Sequence, residues 1–164
     1  MRKFVLCLLL GSTLFFSGCL KGDLDCSYKD NNIVAPSSEE QAVLNYLTAN
    51  NITATKHPSN MYYEIITPGT GGSPNVCSEV IVNYAGSLTT GVQFDEGMNR
   101  PFSLGSLIEG WKEGVPLIQK GGRIKLYIPP SLGYGPNDVK DNMGTVIIPS
   151  SSVLVFDITL VDFQ

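Results

Sequence analysis

The apolar positions of this chain change their spacing from one stretch to the next, and each change marks an element. Phe4 to Phe16 is an apolar run behind Arg2 and Lys3, broken only by Gly11, Ser12 and Thr13. A membrane-spanning helix needs about 20 apolar residues, so this run has the length of a secretory signal core instead. Leu20 to Ser38 carries Asp23, Asp25, Lys29, Asp30, Asn31, Asn32 and Pro36 with no sustained apolar period, which reads as a tether. Ser37 to Asn50 then repeats at helical spacing, with Val43, Leu44 and Leu47 as a narrow stripe. Ser37 and Glu40 form a capping-box pattern, and Glu39 and Glu40 suit the first turn. So short a helix leans on something else, either the flank of a domain or a second copy.

From Ile52 the period becomes strand-like. Ile52–Lys56 and Met61–Thr67 read as strands around a turn at His57-Pro58-Ser59-Asn60. Pro68 to Pro74 is a loop dense in breakers. Glu79–Leu88 is a strand with Val80, Val82, Tyr84 and Gly86 on one face, and Thr89-Thr90-Gly91 turns the chain into a return at Val92–Asp95. Pro101–Leu104 reads as a further short strand and Leu107–Val115 as the one helix inside the domain. Gly121-Gly122 is a turn before a strand at Arg123–Ile128, which Pro129-Pro130 stops. Ser131–Ile148 reads mostly as loop. Ser152–Asp162 alternates, with Leu154, Phe156, Ile158 and Leu160 on one face. The fold class is α+β: an antiparallel sheet wrapping a single short helix, preceded by a short N-terminal helix and a tether.

Composition narrows the function. Charged residues are only 16% of the chain and the net charge is −4, with no basic run, which argues against nucleic acid as a partner. The single histidine, His57, stands in a turn, so neither a Ser/His/Asp arrangement nor a metal cluster emerges and no cofactor is expected. Gly69 to Gly72 lies between strands and has no helix N-terminus with which to hold a phosphate.

The signal core ends Phe16-Ser17-Gly18-Cys19, which resembles a bacterial lipobox with Phe16 in place of the usual Leu. On that resemblance Cys19 is lipidated and becomes the new N-terminus, and removal of residues 1–18 makes the mature chain more acidic. Acyl chains anchor through burial of about 0.8 kcal/mol per methylene. The implied location is exported and lipid-anchored to a bacterial membrane, the outer one by expectation, facing periplasm or surface. Cys7 leaves with the signal. Cys26 and Cys77 remain as an even pair in an oxidising setting, and a disulfide between them is expected. It would close a loop of roughly 50 residues, worth about 4 kcal/mol in the chain-entropy model.

What stands out chemically is aromatic. Tyr84, Phe94, Phe102, Trp111, Tyr134 and Phe156 fall on separate elements and can converge only around a common centre. Composition alone fits a filled core as well as a pocket. The glycines flanking Trp111, Gly110 and Gly114, read as room for close backbone packing.

The blocks around these aromatics resemble the FKBP-type peptidyl-prolyl cis-trans isomerases. They are Val82-Asn83-Tyr84-Ala85-Gly86-Ser87-Leu88, Gly91-Val92-Gln93-Phe94-Asp95, Pro101-Phe102 and Leu107-Ile108-Glu109-Gly110-Trp111-Lys112-Glu113-Gly114. Arg123 to Pro129, Leu132-Gly133-Tyr134-Gly135, Ile147-Ile148-Pro149 and Leu154-Val155-Phe156-Asp157 continue the likeness in order, from about Tyr62 to Phe163. A lipobox in front resembles the exported lipoprotein members.

The resemblance implies rotation of X–Pro bonds without a nucleophile, a metal or a cofactor. It implies Trp111 as pocket floor, with Tyr84, Phe94, Phe102, Leu107, Ile108 and Phe156 as walls and Asp95 at the edge. It further implies the Tyr134 hydroxyl and the Ile108 N–H as donors to substrate carbonyls, and Ile147 and Ile148 as an apolar flap. Proline-containing polypeptides are the implied clients, macrolides the implied inhibitors, and a monomer the expected state. The segment Asp95–Phe102 is about two residues shorter than the family pattern, so Arg100 is not equated with the family's pocket-edge arginine. The loop Pro136–Val146 is longer than in the minimal member. The expected organisation is a signal peptide over 1–18, a lipidated tether over 19–38, a helix and hairpin lead-in over 39–60, and an isomerase domain over 61–164. The alternative is a non-catalytic, chaperone-like or scaffolding lipoprotein that holds proline-containing segments.

Overall fold

A computed structural model describes Tyr28 and residues 32–164. The expected signal segment, Cys19, Cys26 and most of the expected tether therefore lie outside the described residues. A six-stranded antiparallel sheet carries the fold. Its strands are β1 (Thr55–Lys56), β2 (Tyr62–Thr67), β3 (Glu79–Leu88), β4 (Gln93–Ser103), β5 (Arg123–Ile128) and β8 (Leu154–Phe163), in the spatial order β1-β2-β5-β8-β3-β4. Period-two alternation dictates the inner face: Val80 and Val82 from β3, Ile124, Leu126 and Ile128 from β5, and Leu154, Phe156, Ile158 and Leu160 from β8 are all buried there.

Helix α2 (Glu109–Gly114) lies against that face. Its glycines make the close approach. A Cβ on Gly110 would meet Ile128 side-chain carbons at 2.6 Å, and one on Gly114 would meet both Leu126 Cδ atoms at 2.6 Å. A side chain at either position would push the helix, and Trp111 with it, away from the sheet.

Helix α1 (Ser37–Ala49) packs on the opposite face. Val43 and Leu47 cluster with Tyr62, Tyr127 and Val153, positions out of phase with the inner-face residues of β5 and β8. The flank reading of this helix therefore stands within a single chain. The expected capping box does not form. Pro36 occupies the cap position, its carbonyl accepts from the N–H groups of Glu39 and Glu40, and no side chain caps the helix. The Glu40 carboxylate is drawn away to Lys56 Nζ at 2.6 Å and the Tyr62 hydroxyl at 2.9 Å. Glu39 Oε2 reaches across to accept from Ser131 N–H at 2.8 Å.

The strand expected at Ile52–Lys56 shortens to Thr55–Lys56, and two further segments differ from the expected elements. Val92–Asp95 and Pro101–Leu104 are not separate strands; β4 runs continuously from Gln93 to Ser103 along β3. Its register shifts opposite Val82 and Tyr84, where Asn99 adopts φ 50° and its N–H bonds to Asn83 Oδ1 at 2.7 Å. That bulge absorbs an unpaired residue without ending the ladder. Ser131–Ile148 is also more ordered than loop. It begins with a 3-10 turn at Pro130–Leu132 and holds a small hairpin of β6 (Val139–Lys140) and β7 (Val146–Ile148).

Candidate functional site

The site grows from the only tryptophan. Trp111 sits in the first turns of α2 with 4% of its surface exposed, pressed toward the sheet by the close packing of Gly110 and Gly114. Three rings meet it nearly at right angles. Tyr84 from β3 and Phe156 from β8 are each 5.3 Å away between centroids, at 81° and 87°. Phe102 from β4 is 6.1 Å away at 81°. Edge-to-face contacts of this kind fix ring orientation as well as burying area. The result is a box with one open side.

That open side is a pocket of about 250 Å³ lined by Tyr84, Asp95, Phe102, Ser106, Leu107, Ile108, Trp111, Tyr134 and Phe156. Most expected site residues thus meet at one cavity. Phe94 does not line it but stacks behind Phe156 at 5.5 Å and 85°. Ile147 and Ile148 stand on β7 outside the lining, with Ile147 exposed and Ile148 buried in the core. Ser106, which begins the tryptophan-bearing stretch but carried no expected site role, also joins the lining beside Leu107. A larger cavity of about 510 Å³, lined by residues including His57, Lys112 and Glu113, lies apart from the aromatic box.

Polar groups sit only at the rim. The Tyr84 hydroxyl donates to Asp95 Oδ2 at 2.8 Å, and Glu96 N–H donates to Asp95 Oδ1 at 2.9 Å. Burial, and then the bond to Asp95, push the Tyr84 phenol up to about 12. Burial also raises the Tyr134 phenol, with the Asp95 charge adding to it. Tyr134 therefore stays a neutral O–H donor across the physiological range. Ile108, whose carbonyl accepts the Trp111 N–H at 3.0 Å, precedes α2, and among the described residues no hydrogen bond engages its own N–H. The pocket combines a dry aromatic floor with two donors at its mouth. Such a site can hold a compact apolar ring and orient flanking carbonyls.

Among the described residues no group of three or more His, Cys, Asp or Glu could hold a metal ion. No helix among them is long and apolar enough to cross a membrane. Cys77 is disulfide-bonded, and Cys26 is outside the described residues.

An antiparallel sheet closed over one short helix, with an aromatic box between them, defines a class of α+β ligand-pocket domain. The chain belongs to the FKBP-type peptidyl-prolyl cis-trans isomerase family, whose model matches residues 71–161. It is 41% identical over 110 residues to the FKBP-type peptidyl-prolyl cis-trans isomerase FkpA of Escherichia coli K12, covering 65% of this chain and 38% of that protein. It is 34% identical over 150 residues to FkpA of Aeromonas hydrophila, covering 83% of this chain and 53% of that protein. The chain thus spans between about two fifths and half of these curated relatives. Among solved structures, the crystal structure of FkpA from Escherichia coli superposes with TM-score 0.66 at 34% identity, covering 78% of this chain and 60% of that one. A peptidyl-prolyl cis-trans isomerase from Pseudomonas syringae superposes with TM-score 0.65 at 27% identity, covering 84% and 99%.

Proposed function

We propose that this chain is a peptidyl-prolyl cis-trans isomerase that accelerates rotation about X–Pro bonds in exported polypeptides. The observation that carries the reading is the open box of Tyr84, Phe102 and Phe156 around Trp111, with Tyr134 and Ile108 at its mouth. An X–Pro bond resists rotation because amide resonance imposes a barrier of roughly 18–20 kcal/mol. Rotation breaks the resonance, so the twisted amide is less charge-separated than either planar isomer. A dry aromatic pocket therefore favours the twisted form relative to water, and tighter binding of that form is catalysis.

In this reading the proline ring rests on Trp111, with Tyr84, Phe102, Leu107, Ile108 and Phe156 as walls and Phe94 as backing. The Ile108 N–H and the Tyr134 hydroxyl hold carbonyls on one side of the bond while the other side turns. Asp95 holds the Tyr84 ring at the edge, and the exposed Ile147 swings toward bound substrate as a flap whose base is held by Ile148 in the core. Macrolides with a proline-like ring compete for the same floor. Cys19 carries a lipid anchor ahead of the tether, Cys26 pairs with Cys77, and residues 61–164 form the isomerase domain.

A protease-coupled assay on an X–Pro peptide, run with the mature protein beginning at Cys19, tests the activity. A rate above background that falls in Tyr134→Phe is the expected result. Peptide binding with no rate above background would replace the enzyme by a binding module on the same fold. Mass spectrometry of the oxidised protein should find residue 26 linked to residue 77 and acyl mass on residue 19; free thiols at 26 and 77 would sink the pairing.

A further inference from the structure

Helix α2 supplies the pocket floor, yet its outward side is gripped from outside the family-matched span of residues 71–161. The Tyr28 hydroxyl donates to Glu109 Oε1 at 2.7 Å. Lys112 Nζ donates to Glu109 Oε2 at 3.2 Å and sits 5.0 Å above the Tyr28 ring centre. Glu109 is only 8% exposed, so its carboxylate has surrendered most of its water to these two partners. Just beyond, Ala35 is buried at 2% exposure and tied into the β1–β2 turn: its N–H bonds to Ser59 O at 2.9 Å, and its carbonyl accepts from Asn60 Nδ2 at 2.8 Å. Ala35, seven positions after Tyr28, is thus fastened to the turn between β1 and β2.

The position of Glu109 gives the contact its consequence. It follows Ile108, whose N–H is the unengaged donor at the pocket mouth, and precedes Trp111 by two residues. A six-residue helix has too few internal bonds to hold its own first turn. Outside forces must set it, and Gly110 and Gly114 set only the side facing β5.

We propose that Tyr28 is a positioning residue for the prolyl pocket: its hydroxyl, through Glu109, holds the first turn of α2 so that the Ile108 N–H and the Trp111 ring keep the geometry that receives substrate. The segment ahead of the family domain is then a brace for the site as well as a spacer. This rests on the function proposed above, and the experiment separates the two.

The probe is the single tryptophan. Tyr28→Phe keeps the ring under Lys112 and removes only the hydroxyl. In the mature protein it should raise the rate of acrylamide quenching of Trp111 fluorescence and weaken binding of a proline-containing peptide on the order of 3- to 10-fold, the worth of part of one charge-assisted hydrogen bond. Glu109→Leu should do the same, and Tyr28→Phe should add nothing further in that background. Glu109→Gln, which keeps an acceptor for the hydroxyl, should restore most of the affinity. Quenching is read without substrate, so it decides the positioning role even if the protein proves not to turn over X–Pro peptides. Unchanged quenching and affinity in Tyr28→Phe would overturn the proposal. So would additive losses in the Tyr28→Phe, Glu109→Leu double variant.

Discussion

The Tyr84 hydroxyl meets Asp95 Oδ2 at 2.8 Å across the β3–β4 ladder, although the two residues are not register partners. Asp95 stands opposite Gly86, and Tyr84 opposite Gly97. The side chains therefore reach diagonally, and the glycines make room: a Cβ on Gly97 would lie 2.8 Å from Tyr84 Cε1. One pocket wall is thus oriented by an acid at the rim. Tyr84→Phe keeps the wall and frees the ring to tilt, at about 1 kcal/mol for an exposed bond to a charged group. The expected outcome is a several-fold loss in kcat/KM with a small fall in the unfolding midpoint, read from the peptide assay and a urea titration. Asp95→Asn, which keeps an acceptor, should lose less than Tyr84→Phe.

The same bond has a pH signature. The phenols of Tyr84 and Tyr62 are both pushed up to about 12 by burial first and by their carboxylate acceptors, Asp95 and Glu40, second. Each folded pKa lies above the unfolded value of about 10. Their stabilising contribution is therefore complete below pH 10 and lost as pH rises through about 12. A spectrophotometric titration should find these tyrosinates appearing late and together with unfolding. Tyr84→Phe and Tyr62→Phe should each flatten the alkaline fall in stability; an unchanged slope in both would contradict the linkage.

Gly114 and Leu126 give a prediction about packing. A methyl on Gly114 would collide with both Leu126 Cδ atoms at 2.6 Å, and neither residue touches the pocket. Gly114→Ala should cost about 1–3 kcal/mol by overpacking, seen as a lower urea midpoint. Leu126→Ala alone should cost about 2–5 kcal/mol. The double variant should lose less than the sum of the two, because the added methyl enters the space the leucine vacates.

Much of this architecture was legible in the residues themselves. β8 alternates because one face meets the core and the other does not, so Leu154, Phe156, Ile158 and Leu160 declare themselves. β4 hid its continuity: it is an edge strand whose residues are mostly exposed, and Gly97 and Asn99 look like breakers when they form a bulge. The Ser37–Glu40 cap failed because Lys56 and Tyr62, distant in sequence, compete for the Glu40 carboxylate. The aromatic box was readable as a set of large rings on separate elements. Its boundary was not: placing Phe94 behind Phe156, and Ser106 in the lining, depends on strand twist and helix tilt that no local pattern records. The Tyr28–Glu109 contact spans 81 positions and leaves no periodic trace.

The β6–β7 hairpin escaped pattern reading for a different reason, and that reason is testable. Its strands hold two and three residues, too few to declare a period. Its turn is organised by one side chain: Asp141 Oδ1 accepts from the N–H groups of Met143 and Thr145, both at 2.9 Å. Asp141 N–H donates to Thr145 O at 2.9 Å, and Gly144 completes the turn at φ 84°. Asp141→Ala leaves two backbone donors with water alone, at roughly 1–2 kcal/mol of local stability. The global unfolding midpoint should barely move, because the turn is exposed, the hairpin lies outside the main sheet, and its core anchor Ile148 is left in place. Amide exchange at Met143 and Thr145 should rise by about tenfold, and Asp141→Asn should recover part of the protection. If Ile147 closes over bound substrate as proposed, Asp141→Ala will also raise KM while leaving kcat nearly intact. A frayed hairpin costs affinity at the mouth but leaves Trp111 and Tyr134 in place.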